Sequence, residues 1–454
     1  MANSAAAYNR LMTDQRQQAI ASHQQRRRRL LETMSARGGG VAVIPTALEK
    51  VRNRDSHYPY RSDSYFHYLS GFPEPEAILL LVAGAQQQSM IFCRDKDPDK
   101  EIWEGFRYGP DAAKLEFGMD AGYSIKQFDE VLQEQLAGHR ALWYSLGHDA
   151  EFDARISRNL NALRAQVRSG RQAPSEVVDV RASLDAMRLV KDEQEIALMR
   201  RAADISAQAH RRAMRATAPG KFEYQIEAEL LCEFRGAGSQ APAYTSIVAG
   251  GANACILHYS DNSRLLRDGE LLLIDAACEL DGYASDITRT FPVNGRFSAA
   301  QADIYDLVLD AQAAAIAAIR PGADFQQVHD AALQVLVRGL VDMKLVIGSV
   351  DGVIESESYK RFFMHRTSHW LGLDVHDVGS YKSGEQWQIL QPGMMLTVEP
   401  GCYIRAADDI PAAFHDIGVR IEDDALVTAD GCEILSQAAP KTIAAIEALM
   451  RDGR

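Results

Sequence analysis

Two stretches of this chain each carry a pair of carboxylates in a setting that invites metal chemistry. In LLLIDAACELDGYASDITRTFPV, Asp275 follows four aliphatic residues, and Asp286 lies beyond Asp281-Gly282, a dipeptide that favours the tight turn of a β-hairpin. A turn centred on Leu280-Asp281 makes the two aspartates direct cross-strand neighbours. A turn centred on Asp281-Gly282 makes them diagonal neighbours. Either register puts both on one face of the sheet. Two close carboxylates in apolar surroundings cannot both ionise cheaply, and desolvating each is costly without a partner. Divalent cations are the natural compensation. The second stretch offers Glu399 in TVEPGCYI and Glu422 in GVRIEDD, again after apolar strand residues. Four carboxylates match two divalent cations, and one neutral imidazole would complete a softer position. His369 is the candidate, in MHRTSHWLGLDVHDVG, which also holds His365 and His376.

Taken singly, each residue has a bland reading. An Asp near a hairpin turn is most often a turn or cap residue, a Glu after a strand sits at a sheet edge, and a His beside Trp370 packs and hydrogen-bonds. The pair His365 and His369 has the spacing of a helical zinc site but lacks the Glu of H-E-x-x-H, which excludes that motif. The weight lies in the combination and its order.

The elements that must carry these residues follow from periodicity. Asp192 with Glu195 forms a capping box, and Ile196, Met199 and Ala203 share one helical face. Pro219-Gly220 stops that helix, and a second runs from Phe222 to Gly236. Two strands follow, over 270–278 and 283–293. The pattern then repeats: Ser298 with Gln301 and Asp324 with Gln327 cap two helices, ended by Pro321-Gly322 and by Gly339. A second strand pair is predicted over 394–404 and 418–427. Gly269 precedes Asp275 by the same interval as Gly393 precedes Glu399. The region from about 184 therefore reads as an α+β unit built by internal duplication about a pseudo-two-fold axis.

Before it, short apolar runs alternate with helical patterns. Strands are predicted over 77–83 and 89–93 and helices over 111–117 and 127–136, an α/β unit. Residues 151–175 are Arg-rich and polar and read as a helical linker. Two domains are expected, 1–181 and 182–454, the first including a polar N-terminal segment. The arginine run at 26–29 reads as a solvated helical face rather than an anion-binding tail.

The 454 residues are 46% hydrophobic and 24% charged, an ordinary globular balance, with a formal net charge of -13. That charge disfavours nucleic acid and anionic membranes as partners. The six cysteines are scattered without a C-x-x-C pair and read as reduced thiols of a cytoplasmic protein. No apolar run near the N-terminus has signal-peptide character or the length to span a bilayer.

The C-terminal region resembles the pita-bread metallopeptidases, which include aminopeptidase P, prolidase and methionine aminopeptidase, with creatinase as a metal-free relative. RSDSYFHYLSGFPEPEAILLL (61–81) and RDKDPDKEIWEGFRYGPDAA (94–113) resemble the aminopeptidase P pattern. The resemblance covers nearly the whole chain beyond the first 35 residues or so. It implies that Asp275 chelates one metal, Asp286 and Glu422 bridge both, and His369 and Glu399 complete the other site, with Mn(II) the most suitable ion. The activity implied is removal of the residue preceding a proline at a peptide N-terminus, through a metal-bridging hydroxide.

Glu399 is then the candidate general base and proton shuttle. His258 and His376 would stabilise the oxyanion or orient substrate, His365 would help form the proline pocket, and Tyr403 and Arg420 would support the site. Trp103 would contact substrate across a subunit interface of a dimer or tetramer. Arg366 stands inside HRTSH where the family commonly has Gly. Prolidase, acting only on dipeptides, is the nearest alternative, and a binding module that has lost catalysis is the alternative from another class.

Overall fold

The computed structural model describes residues 2–452, with side chains from Arg16 onward. The chain divides into two compact units between Met187 and Arg188. Among the described residues no helix is long and apolar enough to cross a membrane.

The first unit is built on a six-stranded mixed sheet. Its strands are β1 (Gly40–Pro45), β2 (Ile78–Ala83), β3 (Gln88–Cys93), β4 (Ala121–Ser124), β5 (Ala141–Trp143) and β6 (Glu176–Val178), in the spatial order β4-β3-β2-β1-β5-β6. β2 is ILLLVA, buried at every position, as a central strand covered on both faces must be. The strands expected near 77–83 and 89–93 are β2 and β3, paired antiparallel. The two expected helices are present as Gly109–Glu116 and Phe128–Leu136.

Two expectations need correction here. The Arg-rich stretch is helical as expected, over Ala150–Arg164 with the Asp149 carboxylate as its cap, but it is not a linker: its Ile156, Leu160 and Leu163 belong to the core under the sheet. The arginine run is only half solvated, because it lies on the helix Ala2–Ala36 where that helix is buried. Arg26 and Arg27 are 3% and 2% exposed. Arg26 donates to the Tyr68 carbonyl and Arg27 to the carbonyls of Leu69, Phe117 and Gly118. Free carbonyls at helix and loop ends recruit these guanidiniums, which no local charge pattern reveals.

In the second unit, two helices followed by a strand hairpin occur twice. The first set is Glu193–Ala216, Glu223–Gly236 and the hairpin spanning 271–292; the second is Ala299–Ala318, Phe325–Asp342 and the hairpin spanning 395–427. Both Asp192 with Glu195 and Ser298 with Gln301 form reciprocal capping boxes. Gly339 does not end its helix, which continues to Asp342. A Cβ at Gly339 would stand 2.3 Å from Leu307 Cδ1, so this glycine lets the two helices approach.

Each hairpin is broken into an outer and an inner strand pair. In the first, Leu271–Asp275 pairs with Thr288–Pro292 and Cys278–Leu280 with Tyr283–Ala284. Asp281 and Gly282 have φ of 49° and 85°, the left-handed pair a type I′ turn requires. Asp275 therefore lies opposite Thr288, which is the register of the turn centred on Asp281-Gly282, with Asp286 diagonal to Asp275 in the break. In the second hairpin, Met395–Val398 pairs with Asp423–Val427 and Gly401–Ile404 with Ile417–Arg420. The break holds Glu399-Pro400 on one arm and Ile421-Glu422 on the other. Pro400 has no N–H to offer a ladder. Carboxylates in these breaks are free of strand alternation and turn toward one place.

Candidate metal centre

Asp275, Asp286, His369, Glu399 and Glu422 line one cavity of about 790 Å³, together with His258, His365, His376 and Arg420. Ligating atoms of Asp286, His369 and Glu422 all lie within 4.8 Å of one another. His369 Nε2 is 3.3 Å from Asp286 Oδ2 and 3.7 Å from Glu399 Oε1. Tyr244 joins Asp275 to this group: its hydroxyl is 2.6 Å from Asp275 Oδ1 and 2.5 Å from Asp286 Oδ1.

His369 precedes the second hairpin yet sits beside it, because residues 367–371 run along its first strand. The His369 N–H donates to Thr397 Oγ1, Thr397 N–H donates to the His369 carbonyl, and Glu399 N–H donates to the Thr367 carbonyl. The His369 ring is turned by its Nδ1 contact with the Trp370 carbonyl at 2.9 Å, leaving Nε2 for the carboxylates. Between the hairpins, Glu422 N–H donates to the Thr288 carbonyl and Asp286 N–H donates to the Asp424 carboxylate.

The donor set fits divalent cations. Burial pushes Glu399 up to about 7, reinforced by the neighbouring carboxylates of Asp286 and Asp275 against the pull of His369 and Arg420. Burial and the carboxylates of Asp286, Glu399 and Asp275 likewise hold Glu422 well above the usual carboxylate range. His369 is opposed by burial, but Asp286 and Glu399 raise it to about 9. Four carboxylates thus outnumber the positive charge that His369 and Arg420 can supply, and oxygen-rich donors with one imidazole suit hard or borderline divalent ions.

The surrounding groups are held by name. Arg420 donates to Asp275 Oδ2 at 2.6 Å, to Tyr403 Oη at 2.9 Å and to Thr288 Oγ1 at 3.1 Å, and Thr288 Oγ1 donates to Glu422 Oε2 at 2.7 Å. Tyr403, 1% exposed, lies behind the cavity wall, with its hydroxyl 2.8 Å from His365 Nε2. Burial and then Arg420 lower His365 to about 4, so the ring is neutral. The His376 ring stands edge-on to His369 at 4.3 Å. Its segment is cinched by Asp377, which takes Arg188 at 2.5 Å and Lys191 at 2.9 Å. His258 follows the segment at 251–255, anchored by Glu223. That carboxylate, 0% exposed, accepts from Gly250 N, Asn253 Nδ2, Tyr259 Oη and Arg264 N.

The structure thus brings nine of the ten sequence-predicted site residues onto one cavity surface and places Tyr403 directly behind it. Trp103 is 87% exposed on the helix Pro98–Glu104 of the first unit. Sequence reasoning missed Tyr244, Thr288, Asp424 and Glu223. Tyr244 and Asp424 carry no spacing signal, since each meets its partner only through tertiary approach. Glu223 had one available cue, an acidic residue in the first turn of a helix after Phe222.

Comparisons with known proteins identify the family. Residues 197–429 match the model of metallopeptidase family M24, and residues 23–143 match that of the aminopeptidase P N-terminal domain. The chain is 47% identical to a Xaa-Pro aminopeptidase of Haemophilus influenzae over 89% of its own length and 91% of that protein's. It superposes on the structure of aminopeptidase PepP from Pseudomonas aeruginosa with a TM-score of 0.94, at 47% identity, covering 96% of this chain and 98% of that one. A zinc-substituted Escherichia coli aminopeptidase P in complex with product superposes with a TM-score of 0.93 at 43% identity, covering 96% and 99%.

Proposed function

From the premise that this chain belongs to metallopeptidase family M24, in its aminopeptidase P branch, we propose the following division of labour for a metal-dependent Xaa-Pro aminopeptidase. Asp275, Asp286, His369, Glu399 and Glu422 hold two divalent cations, for which Mn(II) is our assignment. Such ions supply Lewis acidity toward the scissile carbonyl and toward water. The convergence of those five side chains on one cavity wall is the observation that supports this reading.

Glu399 takes the proton of the attacking water and delivers it to the departing proline nitrogen. A prolyl bond has no N–H to recognise, so the site must read ring shape. His365 presents its edge to that ring, fixed by Tyr403 on one nitrogen and by the Arg366 carbonyl, 2.7 Å from Nδ1, on the other. His376 is lowered by burial and by neighbouring His369; as a neutral ring it donates one N–H to the developing oxyanion, with His258 beside it. Arg420 keeps Asp275 oriented and joins it through Tyr403 to His365.

Six free cysteines fit a reducing compartment, and we assign the cytoplasm. Assembly as a dimer or tetramer is our expectation from the family, read by light scattering. The deciding assay offers the Mn(II)-loaded protein a tripeptide and a dipeptide, both with proline second. Release of the first residue from the tripeptide, abolished by chelator and restored best by Mn(II), is expected. Release from the dipeptide alone makes the protein a prolidase.

A further inference from the structure

The cavity continues past the carboxylates to an aromatic wall of Phe325, Tyr381 and Trp387, with Arg366 at its edge. Arg366 is exposed, yet its guanidinium is not loose. Its carbon lies 5.2 Å from the Trp387 ring centre, and it donates to Gln326 Oε1. Lys382 faces Trp387 directly across the small hairpin Lys382–Ser383 with Gln386–Trp387, and its Nζ is 4.1 Å from the same ring centre. Two cations therefore share one indole. Among the described residues, neither Arg366 nor Lys382 forms an ion pair with a carboxylate. In a chain with net charge -13, unpaired positive charge at a cavity mouth is against the average. A guanidinium seated on an aromatic face is preorganised for a planar anion.

Arg366 also directly follows His365 in the chain. Resting on the reading of His365 as part of the proline pocket, we propose that Arg366, with Lys382 behind Trp387, forms a carboxylate subsite just beyond that pocket. It would take the negative charge that follows proline. The charge comes either from the C-terminal carboxylate of a tripeptide or from an acidic side chain at the third position. A forked guanidinium pairs with either one through two N–H groups.

Four peptides sharing Ala-Pro at their start separate the possibilities: Ala-Pro-Ala, Ala-Pro-Ala-amide, Ala-Pro-Glu-amide and Ala-Pro-Lys-amide. The readout is the ratio of kcat/KM between each charged peptide and Ala-Pro-Ala-amide, on the Mn(II)-loaded enzyme. At low salt we expect about a fivefold preference for at least one carboxylate-bearing peptide, shrinking as salt is raised. Preference for Ala-Pro-Ala alone identifies the chain terminus as the source, and preference for Ala-Pro-Glu-amide alone identifies the side chain. Arg366→Gln brings the ratio toward one, and Arg366→Glu shifts the preference to Ala-Pro-Lys-amide. Equal rates on all four peptides by the parent enzyme, or a ratio untouched by both substitutions, overturns the subsite. Failure to cleave even Ala-Pro-Ala-amide overturns the peptidase reading itself, which is a separate result.

Discussion

Glu422 and Asp423 are consecutive in the chain and buried alike, at 2% and 0% exposure, yet their acidities move in opposite directions. Asp423 faces away from the cavity into a network of built-in cations. Arg289 lies 2.7 Å from its Oδ1 and Lys441 2.6 Å from its Oδ2, and Ser436 donates to it as well. Burial resists ionisation, but the two cations outweigh it and bring Asp423 down to about 2. Glu422 faces the cavity, where burial and three other carboxylates raise it against the pull of Arg420. The difference teaches where the fold supplies its own counter-charge and where it leaves that role to ions from solution. The core carboxylate is neutralised by side chains; the cavity carboxylate, which we propose as a metal ligand, is crowded by its own kind and reluctant to ionise.

Substitution at the two neighbours gives the largest contrast. Glu422→Gln is expected to reduce kcat/KM at least about a thousandfold, ~4 kcal/mol of transition-state stabilisation. Stripped of metal, that variant should be no less stable than the parent, since one repelling charge has gone. Asp423→Ala should behave in reverse, losing about 3–5 kcal/mol of stability because Arg289, 0% exposed, is left without its carboxylate. Urea unfolding of chelator-treated protein and steady-state kinetics measure both. Equal destabilisation by the two substitutions breaks the comparison.

Titration sharpens it. In the metal-stripped protein, Glu399 has a folded value of about 7, above the ~4.3 of an unfolded glutamate. Between those values the folded state binds more protons than the unfolded one, so stability falls as pH rises from about 4.5 to 7 and then levels. Asp423, at about 2 when folded against ~3.9 unfolded, contributes stability above pH 4 that is lost as pH falls through about 2. On acidification from pH 8 to 5 the Glu399 contribution rises while the buried rings of His210, His329 and His365, each lowered to about 4, oppose it, so it is read as a difference: the thermal midpoint of metal-free parent minus that of metal-free Glu399→Gln should grow between pH 7 and 5. The Asp423 contribution, lost below about 4, should be the same in both proteins; a difference that does not change with pH assigns the effect elsewhere.

What the sequence made legible follows the same division. Asp275, Glu399 and Glu422 stood out because carboxylates after apolar strand residues need an explanation, and Asp286 because the turn at Asp281-Gly282 folds it back beside Asp275. The turn at Asp281-Gly282 and the capping boxes were readable because they close within a few residues. Their partners were not. Asp286 N–H reaches Asp424 across 138 residues of chain, and Tyr244 meets Asp275 and Asp286 only once both hairpin arms are placed. Gly339 reads as a helix stop by composition, and only the nearness of Leu307 shows it as a packing residue. Arg26 and Arg27 reveal nothing by spacing, because the carbonyls they satisfy belong to remote segments.

The smallest effect tests whether the two networks are separate in function. Thr288 Oγ1 lies between Arg420 Nε at 3.1 Å and Glu422 Oε2 at 2.7 Å, so it orients a carboxylate that has no other side-chain donor among the described residues. Ser436 Oγ plays the matching part for Asp423 at 2.6 Å, but there Arg289 and Lys441 already fix the acceptor. Thr288→Val and Ser436→Ala each remove one buried hydroxyl and should each lower stability by about 1 kcal/mol. Metal affinity, read by competition with a coloured chelator, should separate them: roughly tenfold weaker for Thr288→Val, the usual effect of losing a group that holds a ligand, and unchanged for Ser436→Ala. If Ser436→Ala weakens metal binding as much, the Asp423 network reaches the cavity through the backbone it shares with Glu422, and the two neighbours form one electrostatic unit instead of two.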